Sequence, residues 1–267
     1  MPLRVAIGGF GAIGEAVARR LDQGVEGLAL VAVSARDKAR AEAAIAGFAR
    51  PVPVVPLAQL GEEADIVVEC APAHLLREIA EPALGHGRVV MVLSCGALLD
   101  NFDLVELARR HGGRILVPTG ALLGLDAVTA AAEGAIATVH MITRKPPGGL
   151  IGAPYLEWHR ISMDGLDAPK CVFRGSAGEA ARGFPANVNV AAALALAGIG
   201  PERTTIEIWA DPGVDRNVHR IEVEGDAARL SMQIENVPSE NPKTGRLTPL
   251  SVVAALRKLA SPLAVGT

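Results

Sequence analysis

The sequence predicts an α/β protein, an N-terminal doubly wound parallel sheet followed by a second α+β domain that carries a mixed or antiparallel sheet. Three observations predict it. Short β-branched runs alternate with helical stretches from Arg4 to about Thr119, the rhythm of parallel strands with helices on both faces. Beyond residue 120 that rhythm gives way to strands of alternating apolar and polar character. Half of the 267 residues are hydrophobic while only 3% are aromatic, so the core material is the Ala, Val, Leu and Ile mix that fills buried sheets and their covering helices.

Each element follows from local pattern. Residues 4–8 form a β-branched run closed by glycine, a buried strand. Residues 12–21 read as a helix, with Ile13, Ala16, Val17 and Leu21 at helical spacing. A second strand covers 28–34, and an alanine-rich helix covers 38–48 before Pro51 and Pro53. Strands at 65–69, 89–93 and 114–118 alternate with helices at 74–84 and 103–111. In the second part, 137–144, 171–175, 204–210 and 219–224 are strands, and the last two join 229–235 in an antiparallel set. Helices at 124–133 and 189–197 interrupt them, and a final helix spans 248–259. The domains are therefore 1–120, 121–245, and a C-terminal helical segment, 246–267, that packs back on the N-terminal domain.

Bulk properties exclude several functions. A net charge of -3 provides no broad basic field, which argues against a nucleic-acid partner. The best apolar run, residues 28–33, is strand-sized and far short of the roughly 18 residues a membrane span needs. Met1-Pro2-Leu3-Arg4 leads directly into a strand, leaving no place for a signal peptide. Cys70, Cys95 and Cys171 are odd in number and lack metal spacing, as expected of reduced cytoplasmic thiols. His74, His86, His111, His140 and His159 show no ligand spacing, so no metal site is expected. Cys95 as a nucleophile would need a neighbouring base, and none is visible.

The chemistry begins at Gly9-Phe10-Gly11-Ala12-Ile13-Gly14, which fits G-x-G-x-x-G between a strand and a helix. The first glycine permits the tight turn, the second lets backbone approach a pyrophosphate, and the third lets the helix pack close. The helix N-terminus offers its positive dipole to the phosphates, so Gly9, Gly11, Ala12, Ile13 and Gly14 are expected to bind a dinucleotide in a Rossmann domain. About 20 positions on, where a carboxylate would read the ribose of NAD, stand Ser34-Ala35-Arg36, with no acid before Asp37. Arg36 with Ser34 suits a 2′-phosphate, so NAD or NADP is expected, with NADP plausible. Glu69, at a strand end, could lie near that cofactor or serve as a helix cap or surface charge.

Two stretches in the second half carry polar groups amid apolar surroundings. Asn187 and Asn189 open a very apolar helix, where capping is the simplest role for either. His219 starts a strand after the polar turn of residues 211–217, and an imidazole there can handle protons near neutral pH.

Taken in order, Gly9 to Gly14, Val68-Glu69-Cys70-Ala71, Thr119-Gly120-Ala121, the 187–192 stretch, Ala210-Asp211-Pro212, Asn217-Val218-His219 and Asn241-Pro242-Lys243-Thr244 span almost the whole chain. That series resembles the L-aspartate dehydrogenase family. The resemblance implies a Rossmann domain plus an α/β substrate domain, and oxidative deamination of L-aspartate with NAD(P)+ to iminosuccinate, then oxaloacetate and ammonia. It further implies that Ala121 and Asn189 contact the cofactor, that His219 is catalytic, that the enzyme is a homodimer, and that some members feed NAD biosynthesis. Lys243 and Thr244 are the first candidates for the substrate carboxylates, with Arg144 or Lys145 contributing. Gly245 stands where the family often has serine, and Cys95 where it often has valine. The rivals are a dihydrodipicolinate reductase-like or homoserine dehydrogenase-like enzyme, and a protein that senses NADP(H) without turnover.

Overall fold

Val5, Ala6 and Ile7 are wholly buried, as a central parallel strand requires, and the first sheet is built outward from them. The computed structural model describes residues 1–185, 188–238 and 245–266. Its elements are β1 (Leu3–Gly8), α1 (Ala12–Asp22), β2 (Leu28–Ser34), α2 (Lys38–Ile45), α3 (Leu60–Glu63), β3 (Ile66–Glu69), α4 (Leu76–Gly85), β4 (Val89–Val92), α5 (Cys95–Asp100), α6 (Asp103–His111) and β5 (Arg114–Leu116). There follow α7 (Leu125–Ala132), β6 (Ile136–Lys145), α8 (Pro154–Trp158), β7 (Lys170–Ser176), α9 (Ala177–Gly183), α10 (Asn189–Ala197), β8 (Thr204–Ala210), β9 (Asn217–Gly225), β10 (Arg229–Asn236) and α11 (Leu247–Ala260). The chain divides into two units, Met1–Gly120 with Pro249–Val265, and Ala121–Thr248 with Gly266.

In the first unit all strands run parallel in the order β2-β1-β3-β4-β5. Strand order reverses direction between β1 and β3, the switch point at whose carboxyl ends such sheets bind ligands. Val17 and Leu21 of α1 pack with Val5, Ile7, Val33 and Val68, and Val252, Val253 and Leu256 of α11 join the same cluster. The returning helix thus completes the hydrophobic layer on one face of this sheet. α2 ends three residues short of the expected helix, at Ile45, with helix-disfavouring Gly47 beyond.

The second unit is a mixed sheet in the order β10-β9-β6-β8-β7. β6 and β8 are parallel, and every other pair is antiparallel. This corrects one expectation. Residues 204–210 and 217–225 are not neighbours, because β6 lies between them and pairs with both. Alternation in a strand assigns its faces but not its neighbour. β6 buries Val139, Met141, Thr143 and Lys145 on one side, β9 buries His219, Ile221 and Val223, and β8 buries Ile206, Ile208 and Ala210. α9 went unpredicted, although Ser176 and Glu179 form a complete capping box at its start, an S-x-x-E signal legible in the sequence.

Leu256 is fully buried among the first unit's aliphatic side chains. Leu256→Ala is expected to lower stability by about 2–5 kcal/mol, measured by urea unfolding, through lost burial and a residual cavity.

Candidate active site

At the carboxyl end of β1 the backbone is crowded. Gly9 adopts φ +101°, and a Cβ there would stand 2.7 Å from the backbone of Cys70 and Ala71, just past β3. A side chain at Gly14 would run into the Gly9 carbonyl, so α1 can start where it does only with glycine at that position. Gly11 is different. Its Cβ would meet no atom within 4 Å and its φ is -88°, so the fold places no demand for glycine there. Gly11 is exposed and is the N-cap of α1, whose first-turn amide groups have no side-chain cap. Close approach of a ligand is the remaining physical reason for a missing side chain, which fits the pyrophosphate of a dinucleotide. Ala12 is exposed and Ile13 half-buried in the same first turn.

The end of β2 completes the cofactor end of this unit. The Gly9 amide donates to the Ser34 carbonyl at 3.0 Å, which ties the glycine turn to β2. Ser34 is buried and Arg36 is exposed. The first carboxylate, Asp37, is committed as the N-cap of α2, accepting the Arg40 amide at 3.0 Å. Hence Arg36 stands near this strand end with the nearest acid engaged elsewhere.

Glu69 ends β3 fully buried, so a surface role is ruled out. Its carboxylate accepts four hydrogen bonds, from the amides of Ala71 (3.1 Å), Leu93 (3.1 Å) and Ser94 (2.8 Å) and from the Ser94 hydroxyl (3.0 Å). Burial raises its pKa, against the opposing pull of those donors. It therefore fixes the loops after β3 and β4, and its length and charge had signalled only a strand-end acid. Burial also pushes the Cys95 thiol up to about 12, which removes it as a nucleophile at neutral pH.

In the second unit the buried side of the sheet brings together three polar side chains. His219 pairs across strands with Thr143, and its Nδ1 lies 3.1 Å from the Thr143 hydroxyl. Lys145 follows Thr143 by two residues on β6 and therefore points to the same side. His219 is 2% exposed and Lys145 5%. Burial, reinforced by the positive charge of Lys145, pushes His219 down to about 3, so the imidazole is neutral in the working range. Burial pushes Lys145 down to about 8. Arg144 faces the opposite side, bonded to Asp211 at 3.0 Å and stacked 5.0 Å over the Trp209 ring. Of the two cations weighed as alternatives, strand alternation keeps Lys145 with His219 and turns Arg144 away.

Asn189 is the first residue of α10 and is exposed, while Val188 occupies the cap position, so Asn189 is not a helix cap. Ala121 is half-buried, and its carbonyl accepts the Asn236 side-chain amide at 2.8 Å. Asn187, Lys243 and Thr244 lie outside the described residues.

A doubly wound sheet with an open second glycine, and a second sheet whose buried face holds a histidine–lysine pair, define an NAD(P)-dependent oxidoreductase. The family model described as "Aspartate dehydrogenase, C-terminal" matches residues 126–259, and that described as "Homoserine dehydrogenase, NAD binding domain" matches residues 9–118. The chain is 62% identical to an L-aspartate dehydrogenase of Bradyrhizobium diazoefficiens, covering 99% of this chain and 94% of that one. It is 59% identical to L-aspartate dehydrogenase 3 of Bordetella bronchiseptica, covering 99% and 98%. The chain belongs to the L-aspartate dehydrogenase family. Its fold matches the crystal structure of aspartate dehydrogenase from Thermotoga maritima with a TM-score of 0.74 at 26% identity, over 100% of both chains. The homoserine dehydrogenase likeness is thus confined to the cofactor half.

Two outcomes follow from this geometry. Gly11→Ala is expected to keep or slightly raise the thermal midpoint, since an ordinary φ loses only unfolded-state freedom. The same change should weaken NAD(P)H binding about tenfold or more by fluorescence titration, because its methyl group occupies the phosphate approach. His219 supplies the second. The unfolded chain takes up a proton near the ordinary value of 6.5 that the native chain refuses until about 3. Its contribution to stability is therefore complete above about pH 6.5 and is lost as pH falls toward 3, by up to about 1.4 kcal/mol per pH unit. His219→Gln should show a correspondingly shallower acid-side slope in urea unfolding measured across that range.

Proposed function

We propose that this chain catalyses the oxidative deamination of L-aspartate with NAD(P)+ to iminosuccinate, which hydrolyses to oxaloacetate and ammonia, and the reverse reductive amination. The single observation that carries the reading is the His219–Thr143–Lys145 group on the buried face of the sheet, inside the stretch matched by the aspartate dehydrogenase model. A protein that only senses the cofactor has no use for buried proton-handling groups.

Gly9, Gly11, Ala12, Ile13 and Gly14 hold the pyrophosphate, and Ser34 and Arg36 receive the adenosine ribose or its 2′-phosphate. Ala121 and Asn189 keep the cofactor-contacting roles that the family resemblance implies. When bound, the dinucleotide supplies a nicotinamide ring that accepts hydride from Cα of the substrate. The protein's own work is orientation, exclusion of water and proton management. His219, held neutral, hydrogen-bonds the substrate's nitrogen or the water that adds to the imine. Lys243 and Thr244 bind the substrate carboxylates. The enzyme acts in the cytoplasm as a homodimer, and its imine product is the one that some members of the family feed into NAD biosynthesis.

The test is NAD(P)H formation with L-aspartate, L-homoserine and cyclic imines, run with both cofactors. Turnover of L-aspartate well above the others is expected, and turnover of homoserine or a cyclic imine in its place would assign the chain to one of those rival activities. In the same assay Arg36→Ala should raise KM for NADP+ about tenfold, the loss of one charge-assisted phosphate contact, and leave KM for NAD+ within about twofold.

A further inference from the structure

We propose that Lys145 Nζ, and not the His219 imidazole, accepts the proton of the substrate's ammonium group, with His219 as its neutral neighbour. The inference rests on the amine-oxidising reading above and assigns the base within it.

Hydride can leave Cα only when the substrate nitrogen has a lone pair to form the C=N bond, so its ammonium group must first lose a proton. The acceptor must lie where the substrate does, and in the second unit the buried ionisable residues among those described are Lys145, Asp211 and His219. Asp211 is held by Arg144 at 3.0 Å and the Gly213 amide at 2.8 Å, next to the outward side of the sheet. Among the described residues, the other charges named on elements packed here are engaged in ion pairs or caps, or are exposed. Glu207 on β8 pairs with Arg174 at 2.9 Å, and Arg220 pairs with Glu222 at 2.6 Å along the outer face of β9. On β10, Arg229 pairs with Glu224 at 2.9 Å and Glu235 is exposed. Glu179 of α9 is consumed by its capping box, Arg182 is exposed, α10 has no charged residue, and Asp126 and Glu133 at the two ends of α7 are exposed.

That leaves the pair. Both side chains leave the same side of the sheet at the end of β6, His219 opposite Thr143 and Lys145 one step beyond it. The charge of Lys145 disfavours a proton on His219. His219, pushed down to about 3, is too weak a base to take a proton from an ammonium group near neutral pH. Lys145, pushed down to about 8, changes protonation within the working range and, when neutral, is a far better acceptor for an ammonium proton than His219. In the proposed step one N–H bond of the substrate ammonium breaks and one N–H bond forms at Nζ. The freed lone pair forms C=N as the hydride pair passes from Cα to NAD(P)+. Lys145 then gives the proton to water, which is the one proton released per turnover.

The experiment is log kcat/KM for L-aspartate between pH 6 and 11 on the full chain, wild type and Lys145→Ala, with ethylamine added back to the variant. kcat/KM reports the free enzyme and the free substrate, so the wild type should rise with unit slope, level off above about pH 8 and fall again only where the substrate's own ammonium group titrates. Lys145→Ala should lose about 10²-fold or more, lose that limb, and recover activity with ethylamine, while NAD(P)H binding and circular dichroism stay at wild-type values. A wild-type profile that falls through pH 8 would make Lys145 a cationic clamp for a carboxylate and overturn the proposal, as would a variant that keeps the rising limb or ignores the amine. Should Lys145→Ala fail to fold, the wild type still decides. The Cε resonance of Lys145, followed by 13C NMR, is expected to titrate near 8, and a midpoint near the ordinary 10.4 overturns the assignment. Absence of L-aspartate turnover by the wild type at every pH sinks the substrate reading alone, and the NMR titration then judges Lys145 separately.

Discussion

The first unit depends on one steric constraint, the absence of room for a side chain at Gly14 against the Gly9 carbonyl. Because that contact is backbone on side-chain position, no rotamer can relieve it, and α1 is pinned to the turn that leaves β1. Gly9 in turn presses on the Cys70–Ala71 backbone, so the turn is pinned to the exit of β3 as well. The Glu69 carboxylate then ties β3's exit to that of β4 through Ala71, Leu93 and Ser94. Three strand ends at the switch point are thereby held by contacts that leave little freedom, and the one glycine with open space, Gly11, is left facing outward.

The second unit reaches its arrangement by a different route. Here the period of a strand does the sorting. Along β6, Val139, Met141, Thr143 and Lys145 alternate with His140, Ile142 and Arg144, so the inner side turns from apolar to polar only at its last two positions. β9 runs antiparallel and carries Asn217 and His219 on that inner side before Ile221 and Val223. The two polar ends coincide because the strands are antiparallel and in register, and the rest of the face supplies the low-dielectric surroundings that shift both groups.

How far all this was legible in the sequence differs by feature. The parallel unit was legible almost element by element, because G-x-G-x-x-G and the βα rhythm are local signals. The bounds of β2, β8 and α10 match their expected ranges residue for residue. The place of β6 between β8 and β9 was not legible, since pairing is a long-range choice among strands of similar pattern. His219 was visible as a histidine at a strand start, but the depression of its pKa comes first from burial in the folded sheet and then from the charge of Lys145, some seventy positions away in sequence. Choosing Lys145 over Arg144 needed only the alternation of β6 once its register was known. The role of Glu69 was hidden because its partners are backbone amides, which every residue carries.

Glu69 and Lys145 also show how buried ionisable groups of similar burial serve opposite ends. Glu69 accepts four donors, three from the main chain, and those donors hold down a carboxylate that burial pushes up. Although burial still wins and its pKa stays raised, a carboxylate with every donor in place serves to fix geometry. Lys145 and His219 are both pushed down by burial, and the positive charge of Lys145 further raises the cost of charging His219. Lys145, at about 8, is held close to the point where a proton can be taken or refused, while His219 beside it stays neutral. A native fold keeps it there at some expense in stability, and that expense is repaid only where a proton must move.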